Sequence, residues 1–328
     1  MIGLDFFSDL LANWKIGPIR SITGQPPGES ASGNVTFIET EAGARYVLKQ
    51  KTVCRTLPHE FKLLTALAEQ GVPVAVPLRT RSGEPYVQEG EDCFDLSPHL
   101  TGTVYADHYA PGAVERAIQF GAAIARLHTA LCNCDQFASV QDMDLPGDIS
   151  QSCQVVRQNW SAGRQNWPAE QPPVEPILSE LEAGLAACFA ELPKQLIHRD
   201  AHPGNMLFQE GQLSGWLDFE IMLRGPRLFD LCYCSTSLLM NGMDDPAKRQ
   251  AWFALLSALV EGYEAVSPLT SAEHRALRVM QMSIEVIFIL RGQRSHGRRT
   301  RPLLAAAGRQ AGFSHRHLRR WGPGRIDY

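Results

Sequence analysis

Two hydrophobic periodicities divide the chain. Up to about residue 99, apolar and polar positions alternate in short runs, as in strands with one covered face. The runs 19–22, 35–40 and 45–49 read this way, with Glu41-Ala42-Gly43 as the turn joining the last two. One helix interrupts them: Pro58-His59-Glu60 opens it, Phe61, Leu64, Leu67 and Ala68 form its apolar stripe, and Gly71 ends it. From about residue 103 the apolar spacing becomes three and four, which predicts helices over 112–131, 175–191, 246–266 and 271–291. Between the first two, 135–173 is rich in Gln, Asp, Pro and Gly around Trp160 and Trp167 and reads as a surface loop, with a lid or substrate-facing insertion as the alternative. The expected fold class is α+β. A small antiparallel-sheet N-lobe would occupy 1–99, and a mostly helical C-lobe 100–328.

A local exception inside the helical part carries the chemistry. Gln195-Leu196-Ile197 delivers the chain into His198-Arg199-Asp200-Ala201-His202-Pro203-Gly204-Asn205. Met206-Leu207-Phe208, a turn at 209–212 and a returning strand to Leu217 then lead to Asp218-Phe219-Glu220, so a hairpin brings Asp218 back beside Asn205. Phosphoryl transfer from a nucleotide needs a carboxylate near the accepting hydroxyl and oxygen ligands for Mg²⁺. Asp200 suits the first role; Asn205 and Asp218 suit the second. The plainer alternative, Asp and Asn capping turns, leaves the Asp218 hairpin unexplained.

A nucleotide also needs a cradle. Val47 and Lys49 share one strand face, so Lys49 would reach the α/β-phosphates while Val47 lies against the adenine. Glu60, at the start of the helix, would form an ion pair with Lys49.

These residues together resemble the aminoglycoside phosphotransferase, choline kinase and type II homoserine kinase superfamily. The resemblance rests on Tyr46–Lys49, Glu60, Phe120–His128 with its terminal Leu-His, the His198–Asn205 loop, Leu217–Glu220 and Asp230-Leu231. His202-Pro203-Gly204-Asn205 is similar to the family's H-P-G-N; Arg199 departs from the small residue many relatives carry. The resemblance implies a bilobal protein-kinase-like fold and an ATP- and Mg²⁺-dependent kinase. It implies a hinge over 94–102, with Ser97 at the back of the pocket and His99 C=O and Leu100 N–H meeting the adenine. His198 and Asp230 would support the loop, Asp230 by accepting its backbone N–H groups, although capping its own helix is the local alternative. By position alone, the glycine-bearing stretch between 24 and 34 would cover the phosphates.

Composition narrows the remaining choices. At 328 residues, 44% hydrophobic and net charge −4, the chain is that of an ordinary globular protein. It has no recognition motif for nucleic acid, no apolar run near the roughly 20 residues of a membrane span, and no basic segment preceding an apolar one at the N-terminus. A cytoplasmic monomer or homodimer is expected, its partner a small-molecule hydroxyl acceptor. The eight cysteines lack zinc-site spacing and are expected to be reduced. From Arg291 to Tyr328 there are ten arginines and one acid, Asp327. Such a run is a solvated tail or a patch for a carboxylate or phosphate. With the likeness of 261–270 to type II homoserine kinases, it favours a homoserine-like acceptor over polycationic aminoglycosides. A protein Ser/Thr kinase and a non-catalytic kinase-fold binding protein are the other readings; only eleven residues separate Asp218 from Asp230, too few for an ordinary activation segment.

Overall fold

The computed structural model describes residues 4–24, 35–134, 142–161 and 174–295. The stretches 25–34 and 135–141, the second tryptophan at 167 and all but the first five residues of the arginine-rich segment lie outside the described residues. The chain divides into two compact units. One takes the described residues among 1–105, 130–139 and 204–221; the other takes those among 106–129, 140–203 and 222–328. The division expected after residue 99 falls near Tyr105, and the hairpin after Asn205 belongs to the first unit.

In the first unit, strands β1 (Ile19–Gly24), β2 (Val35–Thr40), β3 (Arg45–Lys51), β4 (Val87–Glu89) and β5 (Asp92–Pro98) form an antiparallel sheet in the order β1-β2-β3-β5-β4. Gly43 makes the β2–β3 turn at φ 82°, a conformation an L side chain resists. Ile38, Leu48, Phe94 and Leu96 are buried against Leu10 and Leu11 of helix α1 (Leu4–Leu11) and against Trp14, whose indole N–H donates to Leu78 C=O at 3.1 Å. That helix was not anticipated: Asp5-Phe6-Phe7-Ser8-Asp9-Leu10-Leu11 is too short for periodicity to separate from a strand. Because side chains alternate, burying Leu48 on one face leaves Val47, Lys49 and Lys51 together on the other. Helix α2 (Leu57–Glu69) begins with Pro58 in its first turn and stops at Gly71, φ 80°.

In the second unit, helices α3 (Ala113–Cys132, through residue 129), α4 (Leu145–Ser161), α5 (Val174–Cys188), α6 (Leu228–Asn241), α7 (Pro246–Glu264) and α8 (Ser271–Ser295) accompany a ribbon of β6 (Lys194–Ile197) and β9 (Leu223–Pro226). Helix α4 corrects the loop expected over 135–173. Its polar composition hides a narrow buried stripe of Leu145, Ile149, Cys153 and Val156. The cysteine expectation is corrected too: Cys54 and Cys93 form a disulfide, with Cα atoms 5.6 Å apart. Between β6 and β9 in sequence, β7 (Met206–Gln209) and β8 (Gln212–Trp216) make the first unit's hairpin. Glu210 and Gly211, both at positive φ, close it tightly.

Helices α3 and α7 approach through glycine. A Cβ on Gly121 would overlap the Leu259 carbonyl, and one on Gly262 the Ile118 carbonyl. Neither neighbour is a flexible side-chain tip, so Gly262→Ala should destabilise the protein by about 1–3 kcal/mol. Urea unfolding checks this; an unchanged midpoint would mean that the helices separate at little cost.

Candidate active site

The pairing of β6 with β9 places the start of the 198–203 loop beside the first turn of α6. Asp230 in that turn is fully buried. It does not cap its own helix, which starts at Leu228. One of its oxygens accepts the His198 N–H at 2.8 Å, the other the Arg199 N–H at 2.8 Å, and His128 Nε2 lies 3.0 Å away. Tied this way, Arg199 takes φ 68°, a left-handed conformation costing about 1–2 kcal/mol that lets the chain turn sharply. His198 is also fully buried, and its Nδ1 accepts the Asp200 N–H at 3.3 Å.

Asp200 therefore sits on a fixed backbone, with a half-buried carboxylate 3.5 Å from His202 Nε2. Burial pushes its pKa up. The His202 contact and a hydrogen bond from the Tyr233 hydroxyl outweigh burial and hold it well below the usual carboxylate range. Asp200 is thus an anion at neutral pH, able to accept a hydrogen bond from a hydroxyl group. Tyr233 is held in turn by stacking on Phe229, with ring centroids 5.9 Å apart, and by contact with Phe288 at 5.0 Å.

In the first unit, Asn205 enters the β7–β8 hairpin and Asp218 leaves it. The Leu217 N–H donates to the Asn205 carbonyl at 2.9 Å, which sets the two residues side by side. Asp218 adopts φ 61° and is followed by buried Phe219. A strained non-glycine at such a position persists only where its surroundings over-determine it. Asn205 and Asp218 offer oxygen ligands, the donor type that hard cations prefer. Among the described residues no group of three or more His, Cys, Asp or Glu could hold a metal. An amide and a carboxylate oxygen fit a hard cation such as Mg²⁺, which usually keeps several waters and binds through one or two protein oxygens.

The same unit contains a cleft lined by Val47, Lys49, Ser97, Leu100, Trp216 and Asp218, among others. His99 points its N–H back to the Arg45 carbonyl at 3.0 Å. The expected Lys49–Glu60 ion pair is corrected. Glu60 is bound through both oxygens, at 2.9 Å each, by Lys51. Lys51 also lies 3.2 Å from Asp95 and 3.4 Å from Glu220, whereas Lys49 meets Glu220 at 3.5 Å. The strand continues one pleat past Lys49, and Lys51 from that next pleat is the lysine that reaches the helix. Burial lowers the Lys51 pKa, but Asp95, Glu60 and Glu220 overcome it and keep the ammonium charged. Lys51 was legible in the period-two pattern; Asp95, Glu220 and Tyr233 were not, because register and tertiary packing select them.

A buried-carboxylate-supported H-x-D-x-x-x-x-N loop followed by a D-x-E hairpin defines a phosphotransferase. A family model described as phosphotransferase enzyme family matches residues 23–269, so the chain belongs to that family. It is 28% identical over 285 residues to a homoserine kinase of Gluconobacter oxydans, covering 85% of this chain and 84% of that one. The fold is similar to an aminoglycoside phosphotransferase from Alicyclobacillus acidocaldarius, with TM-score 0.68, 19% identity and coverage of 93% and 91%. It is also similar to an amicoumacin kinase solved with AMP-PNP and Ca²⁺, with TM-score 0.65, 16% identity and coverage of 94% and 92%. The chain is accordingly a kinase of the α+β, kinase-like class expected from the sequence.

Two outcomes follow from this geometry. Asp230→Asn keeps the shape but turns an amide N–H₂ toward donors, leaving a loop N–H unpaired. Stability should fall by about 1–3 kcal/mol and turnover by roughly 10²-fold through misplacement of Asp200; urea unfolding and steady-state rates check both. For Asp200, the folded pKa is depressed, so its stabilising contribution is present above the unfolded value of about 4 and is lost as pH falls below it. Between pH 5 and pH 3 the parent protein should lose stability more steeply than Asp200→Asn. Equal slopes would show that His202 and Tyr233 do not favour the anion.

Proposed function

We propose that this kinase transfers the γ-phosphate of ATP, bound with Mg²⁺, to a hydroxyl of a small amino-acid-like metabolite, with homoserine as the named candidate. The observation that carries the transfer chemistry is Asp200, ionised and fixed on a loop clamped by Asp230. Asp200 orients the acceptor hydroxyl and takes its proton late in a largely dissociative transfer. Asn205 and Asp218 would hold Mg²⁺, which would supply neutralisation of phosphate charge. Lys49 binds the α/β-phosphates, Val47 and Ser97 wall the adenine site, and Leu100 N–H with His99 C=O meets the adenine edge.

The acceptor assignment is supported by the likeness to homoserine kinases across 85% of the chain. It is also supported by the ten arginines at 291–328, which suit a carboxylate better than a polycation. Such a metabolite is met in the cytoplasm. Among the described residues no helix is long and apolar enough to cross a membrane.

Asp200→Asn should bind ATP nearly as the parent does and lose roughly 10²–10⁴-fold in kcat, the usual worth of general-base assistance. Full activity in that variant would remove Asp200 from the chemistry. ADP release with homoserine, measured against kanamycin-like amino sugars under identical conditions, tests the acceptor. Turnover with homoserine alone supports the assignment; turnover with the polycations alone refutes it.

A further inference from the structure

Lys51 and Lys49 share one face of β3 but differ sharply in what surrounds them. The Lys51 side chain is 10% exposed and has three carboxylates within 3.4 Å: Glu60, Asp95 and Glu220. Of its three ammonium protons, two go to the Glu60 oxygens at 2.9 Å, and Asp95 and Glu220 are ion-paired with it at 3.2 and 3.4 Å. To reach a phosphate, Lys51 would have to abandon two nearly buried acids, Glu60 and Asp95, whose side chains are 15% and 4% exposed. Leaving such charges unpaired is strongly unfavourable. The Lys49 side chain is 32% exposed, and its ion pair with Glu220 is longer, at 3.5 Å. It lines the cleft together with Glu60 and Asp218. Glu220 is the acid both lysines touch, and its side chain is 41% exposed.

We propose a division of labour between the two lysines. Lys51 is a positioning residue that gathers Glu60, Asp95 and Glu220, and Glu220 holds Lys49 until the phosphates of the nucleotide take Lys49 over. The proposal rests on the nucleotide reading above and adds what that reading leaves open: which lysine is structurally committed and which is exchanged. Without Lys51, three carboxylates would compete for Lys49, and phosphate binding would suffer through Lys49. The two lysines must therefore be coupled in nucleotide affinity, while the stability contribution belongs to Lys51.

Calorimetric titration with ADP in EDTA tests this with the metal removed. Lys49→Met should weaken ADP about 10- to 100-fold, the range of a charge-assisted contact. Glu220→Gln should tighten it about two- to fivefold by releasing Lys49 from a half-exposed pair. Lys51→Met should weaken ADP in the parent but add little in the Lys49→Met background, while lowering the Tm in both. Additive effects of the two lysine substitutions, or a Glu220→Gln variant that binds ADP no better than the parent, overturn the proposal. Should Lys51→Met fail to fold, Glu220→Gln decides alone. A parent protein that binds no ADP overturns the nucleotide reading itself, and a parent that binds while Lys49→Met binds equally well overturns only the division of labour.

Discussion

One buried carboxylate organises the second unit. A carboxyl group removed from water is costly unless it is hydrogen-bonded, and Asp230 meets that demand with two loop N–H groups and His128. The demand runs both ways: the loop can satisfy Asp230 only by turning through Arg199 at positive φ, which fixes where Asp200 begins. His128 is held in turn by the Tyr263 hydroxyl at 2.9 Å, and the Arg227 guanidinium lies 5.6 Å from the Tyr263 ring centroid. Glu273 clasps Arg227 through two hydrogen bonds of 2.7 and 2.9 Å. A chain of polar contacts thus links the start of α8 to the 198–203 loop, and each member is held by the next.

The first unit sets two lysines among several acids. Glu60, Asp95 and Asp218 line a cleft together with Lys49, and Lys51 pairs with Glu60 and Asp95. Under the proposed nucleotide reading, phosphates in such a surface would need a metal as much as a lysine, which is the physical reason for reading Asn205 and Asp218 as oxygen ligands. The hairpin presents them without flexible linkers, since the Leu217 N–H to Asn205 C=O bond closes its open end.

The parts of this picture that the sequence showed are those set by local pattern. The β2–β3 turn, the α2 boundaries and the hairpin from Met206 to Trp216 follow from glycine placement and period two, and all stand where expected. The role of Asp230 was readable only through likeness to a family, because nothing local separates a loop support from a helix cap. The Glu60 partner was misjudged by two residues on the correct strand face: periodicity names a face, not which lysine on it reaches a helix. Helix α4 was hidden because four buried residues suffice to dock it, too few to outweigh its polar remainder. Thr270 and Glu273 form a reciprocal pair at the start of α8, with N–H to side-chain contacts of 2.8 and 3.2 Å. That signature was present in the sequence and also places Glu273 against Arg227.

The fate of the γ-phosphate tests the account most directly. Phosphorus NMR of the protein with ATP, Mg²⁺ and homoserine should show the γ signal replaced, in equal amount, by a phosphomonoester, with little inorganic phosphate. Loss of the γ signal to inorganic phosphate alone, or an unchanged ATP spectrum with every hydroxyl acceptor supplied, would contradict transfer to a small-molecule hydroxyl.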